Sequence, residues 1–292
     1  MDKLELKALG KINLGLDILG KRPNGYHDVR MVMQTVMLYD DVTMEKKEEE
    51  GIELKTNLSF LPVDSGNIAY KAAKLLIDEF QLPGGIKIHL EKHIPVAAGM
   101  AGGSTNAAAV LYGMNQMYEL GLTTEELMER GVKLGADVPY CIMRGTVLAE
   151  GIGEILTPLA PLPKCYVLLA KPPLSASTKE IYEKYDSKTD IAHPDIDAII
   201  DGLKNDDIKK VAENMGNVLE QVMIPDYPVL DEIKKTMMEN GALGSMMSGS
   251  GPTVFGIFDE RRLAKEAAAK IQEKELAQQV YVTVAYNVRR AY

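Results

Sequence analysis

Pro95-Val-Ala-Ala-Gly-Met-Ala-Gly-Gly-Ser-Thr-Asn-Ala-Ala-Ala109 sets three glycines, two hydroxyls and one amide directly before a run that reads as a helix. Gly99, Gly102 and Gly103 lack a Cβ, so positive φ is open to the chain there and an anion can approach the backbone N–H groups closely. Ala107, Val110, Leu111, Met114, Met117 and Tyr118 follow at helical spacing. The loop therefore feeds a helix N-terminus, whose unpaired N–H groups and positive dipole end favour phosphate. Ser104 and Thr105 are placed to donate hydroxyl hydrogen bonds or to help hold a phosphate-bound Mg²⁺. Two readings share the stretch: a phosphate cradle, and a Gly/Ala-rich helix start built for tight packing.

Neither of the best-known phosphate motifs is present. Walker A needs a Lys after its last glycine, and none follows Gly103. A dinucleotide fingerprint needs a third glycine, which neither Gly151/Gly153 nor Gly249/Gly251 has at the required offset. His-Arg-Asp, Asp-Phe-Gly and G-x-S-x-G are also missing. A nucleotide site here belongs to another class.

The 292 residues suffice for one large or two modest domains. A net charge of −9 gives no footprint for nucleic acid or an anionic membrane. Met1-Asp2-Lys3-Leu4-Glu5 holds no apolar leader core and no apolar run reaches a membrane span, so a cytoplasmic protein is expected. Cys141 and Cys165 lack metal spacing and read as buried small hydrophobes. His89 and His93 fall on an alternating strand, roughly 13 Å apart, too far to share a metal.

Leu4, Leu6 and Ala8 alternate with charges, and after Gly10 the alternation resumes with Ile12, Leu14, Leu16 and Ile18. Lys11 and Asn13 thus point the same way, either as a functional pair or as solvated polar positions. Gly20-Lys-Arg-Pro-Asn-Gly-Tyr-His27 is a turn that presents Tyr26 and His27, a stacking face and a hydrogen-bonding ring, or an incidental surface aromatic. Further strands are expected over 29–43, 52–55 and 86–94, with a helix over 67–80. Thr123 and Glu126 form a capping box, with Leu122 and Leu127 as its staple. Pro139 suits a first helical position, which sets Asp137 just ahead of a helix N-terminus, ionised and acceptor-ready or simply a cap. Three prolines over 157–163 mark the expected domain boundary. Beyond it, a strand at 166–170, helices over 178–185, 195–223 and 229–240, a strand pair over 241–258, a helix over 261–274 and a strand over 279–288 suggest a ferredoxin-like sandwich.

Three blocks together, Lys11-Ile-Asn-Leu with Arg22-Pro-Asn-Gly-Tyr-His27, the loop from Pro95 to Asn106, and Met247-Ser-Gly-Ser-Gly-Pro-Thr253, resemble the GHMP small-molecule kinases. The resemblance runs in order from about Lys7 to Phe258, with Met100 where Leu is usual and Thr105 where Ser is common. It implies an α+β, two-domain GHMP kinase fold, with a ribosomal-protein-S5-like domain over 1–160 and a ferredoxin-like domain over 161–292. It implies ATP-dependent, Mg²⁺-assisted phosphorylation, the nucleotide lying on Pro95, Ala98, Gly99, Met100, Ala101, Gly102, Gly103, Ser104, Thr105 and Asn106, with Asn67 and Lys92 beside it. Asp137 matches the catalytic aspartate that takes or orients the hydroxyl proton, and Lys11 lowers that hydroxyl's pKa. The similarity is strongest to members acting on a cytidine-linked acceptor, for which Tyr26 and His27 match the base pocket, Asn13 helps hold the substrate, and Thr178 and Tyr182 edge the pocket. No metal ligand is assigned, and a monomer or weak homodimer is expected. A kinase for mevalonate, homoserine or a sugar and a non-catalytic binding protein on the same fold are the rival readings; the turn over 248–251 reads as a substrate neighbour or as a plain tight turn.

Overall fold

The first strand is longer than its sequence pattern suggests. In the computed structural model, which describes residues 1–175 and 177–288, Gly10 does not interrupt it, and β1 (Lys3–Lys21) is followed by β2 (His27–Lys47), β3 (Gly51–Thr56), α1 (Ile68–Phe80), β4 (Gly85–Glu91) and α2 (Gly102–Met117). Next come α3 (Thr124–Val132), α4 (Val138–Met143), β5 (Thr146–Glu150), β6 (Ile155–Pro158), β7 (Tyr166–Lys171) and α5 (Thr178–Asp186). The chain continues through α6 (Ile196–Lys204), α7 (Ile208–Asn214), β8 (Gly216–Asn217), α8 (Glu220–Asp226) and α9 (Val229–Glu239). It closes with β9 (Gly244–Met247), β10 (Val254–Phe258), α10 (Arg261–Glu273) and β11 (Gln279–Val284).

Two compact units emerge. One comprises 1–10, 38–96 and 101–143; the other comprises 11–37, 97–100 and the described residues from 144 on. β1 and β2 contribute residues to both units. The proline-rich 157–163 lies within the second unit, with Thr157 and Pro158 in β6, a strand the sequence pattern does not announce.

In the first unit, β4 runs antiparallel to β2, with Val42 opposite Leu90 and Met44 opposite Ile88, and parallel to β3. These side chains are buried, as are Leu76 of α1 and Val110, Leu111 and Met114 of α2. The expected capping box is present: the Thr123 hydroxyl accepts from Glu126 N at 3.2 Å and Thr123 N donates to the Glu126 carboxylate at 2.8 Å. The strand expected to reach 94 stops at Glu91 because the next three N–H groups turn to side chains, Lys92 N to Asn57 and both His93 N and Ile94 N to Asp40.

The second unit carries a four-stranded antiparallel sheet in the order β11-β7-β10-β9. Numbered within that unit it is 4-1-3-2, with α5–α9 between its first two strands and α10 between its last two, the ferredoxin-like arrangement expected. β11 ends at Val284 rather than 288 because Val284 already faces Tyr166, the first residue of β7. Cys141 and Cys165 are buried, and burial pushes the Cys165 thiol up to about 12. Thr123→Ala is expected to lower stability by about 1 kcal/mol in urea unfolding, the usual cost of an N-cap oxygen.

Candidate active site

The N-terminus of α2 is left open. Its N-cap position is Ala101, left-handed at φ 56, and no side chain caps the helix. Positive φ falls on Gly99 (72) and also on Ala97 (50) and Ala101 (56), while Gly102 and Gly103 belong to the helix, so the glycines expected to supply that freedom do so only at position 99. A Cβ on Gly99 would stand 2.0 Å from Ser248 O, so glycine is required there by contact as well as by φ. Gly102, Gly103 and Ser104 are partly or fully exposed, whereas Pro95, Ala98 and Met100 are buried.

Two expected ligand groups are already used inside the fold. Thr105 is buried and its hydroxyl donates to Leu9 O at 2.7 Å, so it ties α2 to β1 instead of facing an ion. Lys92 is buried beneath the same helix, donating to Asn106 Oδ1 at 2.7 Å, to Gly102 O at 3.3 Å and to Asp40. Burial pushes the Lys92 pKa below that of an exposed lysine and Asp40 opposes the shift; three acceptors match the three donors of the ammonium form. Asp40, fully buried, also accepts from Asn106 Nδ2 at 2.9 Å, His93 N at 2.7 Å and Ile94 N at 2.8 Å. Asn67 caps α1, accepting from Ala69 N at 3.0 Å and donating to Pro62 O.

In the second unit, Lys11 and Asn13 do share one side of β1. Lys11 is 5% exposed and its Nζ donates to Asn13 Oδ1 at 2.7 Å; among the described residues no other partner meets the ammonium, and two donors remain unspent. A methyl on Gly249 would lie 3.2 Å from Lys11 Nζ and 3.3 Å from Asn13 Oδ1, so the turn over 248–251 rests against the pair. Asn217 of β8 holds that turn from behind, donating to Met247 O at 2.9 Å and Gly249 O at 2.8 Å, and Ser248 Oγ donates to Gly99 O.

Tyr26 is 58% exposed on the turn between β1 and β2. His27 is buried, its Nε2 is 2.6 Å from Asp186 Oδ1 at the end of α5, and its ring lies 4.9 Å from that of Tyr182. Thr178 is exposed, sharing a hydrogen bond of 2.9 Å with Ser250. Asp137 immediately precedes α4, so Pro139 is the second helical residue rather than the first. Its carboxylate is half-buried, with no hydrogen-bond or ion-pair partner among the described residues.

Among the described residues no group of three or more His, Cys, Asp or Glu is arranged to hold a metal. Among the described residues neither the Ser104 hydroxyl nor the Asp137 carboxylate has a partner, and both suit a Mg²⁺ that arrives on nucleotide phosphates, an ion commonly bound by one or two carboxylates plus phosphate oxygens. His89 and His93 lie against different carboxylates, Glu91 and Asp41. No helix of the described residues is long and apolar enough to cross a membrane.

In the first unit an uncapped helix N-terminus suits phosphate, and in the second a buried lysine keeps two donors without a partner among the described residues. The GHMP kinases N terminal domain matches residues 67–145 and the GHMP kinases C terminal domain matches 182–276. The chain belongs to the GHMP kinases and is a small-molecule kinase, a class that uses ATP as its phosphoryl donor. It is 56% identical over 287 residues to the 4-diphosphocytidyl-2-C-methyl-D-erythritol kinase of Lachnospira eligens, covering 98% of this chain and 100% of the relative. To the kinase of the same name from Lachnoclostridium phytofermentans it is 50% identical, covering 97% of each. A crystal structure of 4-(cytidine 5'-diphospho)-2C-methyl-D-erythritol kinase superimposes with a TM-score of 0.82 at 29% identity, covering 98% of this chain and all of the other.

Sequence reasoning missed Asp40, Asp186 and Asn217. Asp40 left a trace: it occupies the phase of Val36, Val42 and Met44, the buried face of β2. Asp186 and Asn217 left none, because His27 lies 159 residues from Asp186, and Met247 and Gly249 lie 30 and 32 residues from Asn217. Replacing Asp40 by Ala strands a buried ammonium and is expected to cost about 3–5 kcal/mol in denaturant unfolding. Partial burial raises the Asp186 pKa, but Lys21 and His27 together hold it below its ordinary value of 3.8. Its stabilising contribution is then complete above the unfolded value and lost as pH falls through the folded one, so stability measured below about pH 4 should fall more steeply in the parent than in Asp186→Asn.

Proposed function

We propose that this chain transfers the γ-phosphoryl group of ATP to the 2-hydroxyl of 4-diphosphocytidyl-2-C-methyl-D-erythritol, in the non-mevalonate route to isopentenyl diphosphate. The observation that carries the reading is Lys11, a buried cation with two unspent donors. The named relatives, similar from end to end, supply the acceptor.

In this reading the open N-terminus of α2, with Gly99 and residues 101–104, receives the ATP phosphates through backbone N–H groups. Asp40 and Lys92 hold that end in place rather than touching the nucleotide. Lys11 stabilises negative charge on the acceptor oxygen, and Asp137 takes the proton that this oxygen gives up. The oxygen bonds to the γ-phosphorus, the bond from that phosphorus to the β–γ bridging oxygen breaks, and ADP leaves. Mg²⁺ carried on the phosphates would be held by Ser104 and Asp137 and would supply charge neutralisation. Tyr26, His27 and Tyr182 receive the cytosine, while Asn13 and Thr178 help to position the rest of the acceptor. The protein works in the cytoplasm on free small molecules rather than nucleic acid, as a monomer or weak homodimer.

ADP release measured with the cytidine-linked acceptor, mevalonate, homoserine and simple sugars is expected to favour the first strongly; preference for any of the others overturns the assignment. Asp137→Ala is expected to lower turnover about 10²–10⁴-fold with ATP binding retained in calorimetry, the range for losing a positioned acid/base group. Near-normal turnover would remove Asp137 from the mechanism.

A further inference from the structure

A ring that stacks on a pyrimidine cannot tell cytosine from uracil, because both present the same flat face. Discrimination requires a group that reads position 4, a donor amine in cytosine and an acceptor oxygen in uracil. His27 is built for that task by its neighbour. Its Nε2 lies 2.6 Å from Asp186 Oδ1, and the other carboxylate oxygen takes Lys21 Nζ at 2.6 Å. Asp186 stays ionised, for although partial burial raises its pKa, Lys21 and His27 hold it below the ordinary carboxylate value.

An ionised carboxylate only accepts, so Nε2 must carry the ring proton, and in the neutral imidazole Nδ1 is then a lone-pair acceptor. Nδ1 has no hydrogen-bond partner among the described residues. It is not sealed off either, since the only fully enclosed unpartnered side-chain atom among them is Thr253 Oγ1. The ring is also fixed in place by Tyr182, at 4.9 Å and 50°.

We propose that Asp186 is a positioning residue that fixes His27 as a hydrogen-bond acceptor at Nδ1, and that this acceptor selects cytosine over uracil; the inference rests on the cytidine-linked acceptor proposed above. The cytosine 4-amino group donates to Nδ1, whereas uracil O4 would set one lone pair against another. A site that demands a donor rejects an analogue that lacks it far more strongly than a merely apolar pocket rejects a small change in shape.

The test is the ratio of kcat/KM for cytidine-diphosphate-linked methylerythritol over its uridine counterpart, in the full-length protein and in Asp186→Asn. Lys21 can only donate, so it keeps the amide oxygen of the new asparagine and turns its NH₂ toward Nε2. The ring proton must then move to Nδ1, which becomes a donor suited to uracil O4. The ratio is expected to fall at least about tenfold and toward inversion, with Asp186→Ala intermediate because it leaves the tautomer unconstrained. An unchanged ratio in Asp186→Asn overturns the inference while leaving the functional proposal standing. Failure of the parent protein to phosphorylate the cytidine-linked acceptor at all overturns both. Should the variant turn over neither acceptor, nitrogen-15 spectra of the His27 ring decide: a proton on Nε2 in the parent and on Nδ1 in the variant is expected, and a parent proton on Nδ1 contradicts the proposal.

Discussion

One buried carboxylate organises the first unit. Asp40 sits in the middle of β2, on the face where the pattern calls for an apolar residue, and gathers donors from Lys92, from the two N–H groups that follow it and from Asn106 at the start of α2. A charge in that position is tolerated only when it is paired and hydrogen-bonded. That requirement determines where β4 ends, how the loop leaves it and where α2 begins. The loop then runs through left-handed Ala97, Gly99 and Ala101, and delivers a helix whose first N–H groups no side chain caps. Two alanines at positive φ are a strain of about 1–2 kcal/mol each, and Asp40 belongs to the surrounding structure that enforces such a path.

Lys11 presents the opposite electrostatic situation. It is buried as deeply as Lys92, yet the protein gives it an amide and not a carboxylate. Lys92 has three acceptors for its three donors, whereas Lys11 keeps two donors without a partner among the described residues. A family resemblance assigns both lysines to the site; hydrogen-bond accounting separates their roles. The same reasoning distinguishes Thr105, whose hydroxyl is committed to Leu9, from Ser104, whose hydroxyl has no partner among the described residues.

Much of this was legible in the sequence where cause and effect lie close together along the chain. The capping box at Thr123, the ferredoxin-like order of the last four strands and the common face of Lys11 and Asn13 all follow from local spacing. Features decided by distant partners were not. The ends of β4 and β11 were set by a side chain on another strand and by the length of β7. Asp186 gives no local sign of its pairing with His27, and the Gly216-Asn217 strand is too short to carry a pattern.

In the proposed reaction, with no phosphate-loop lysine present, backbone amides and helix polarity receive the phosphates and side-chain charge is reserved for the acceptor. Phosphorus NMR of the purified protein with ATP, Mg²⁺ and 4-diphosphocytidyl-2-C-methyl-D-erythritol tests that account most directly. A new phosphomonoester resonance on the acceptor, growing as ADP appears while the acceptor's own diphosphate stays intact, is the predicted result. ATP consumption that yields only inorganic phosphate, or no consumption at all, would contradict it.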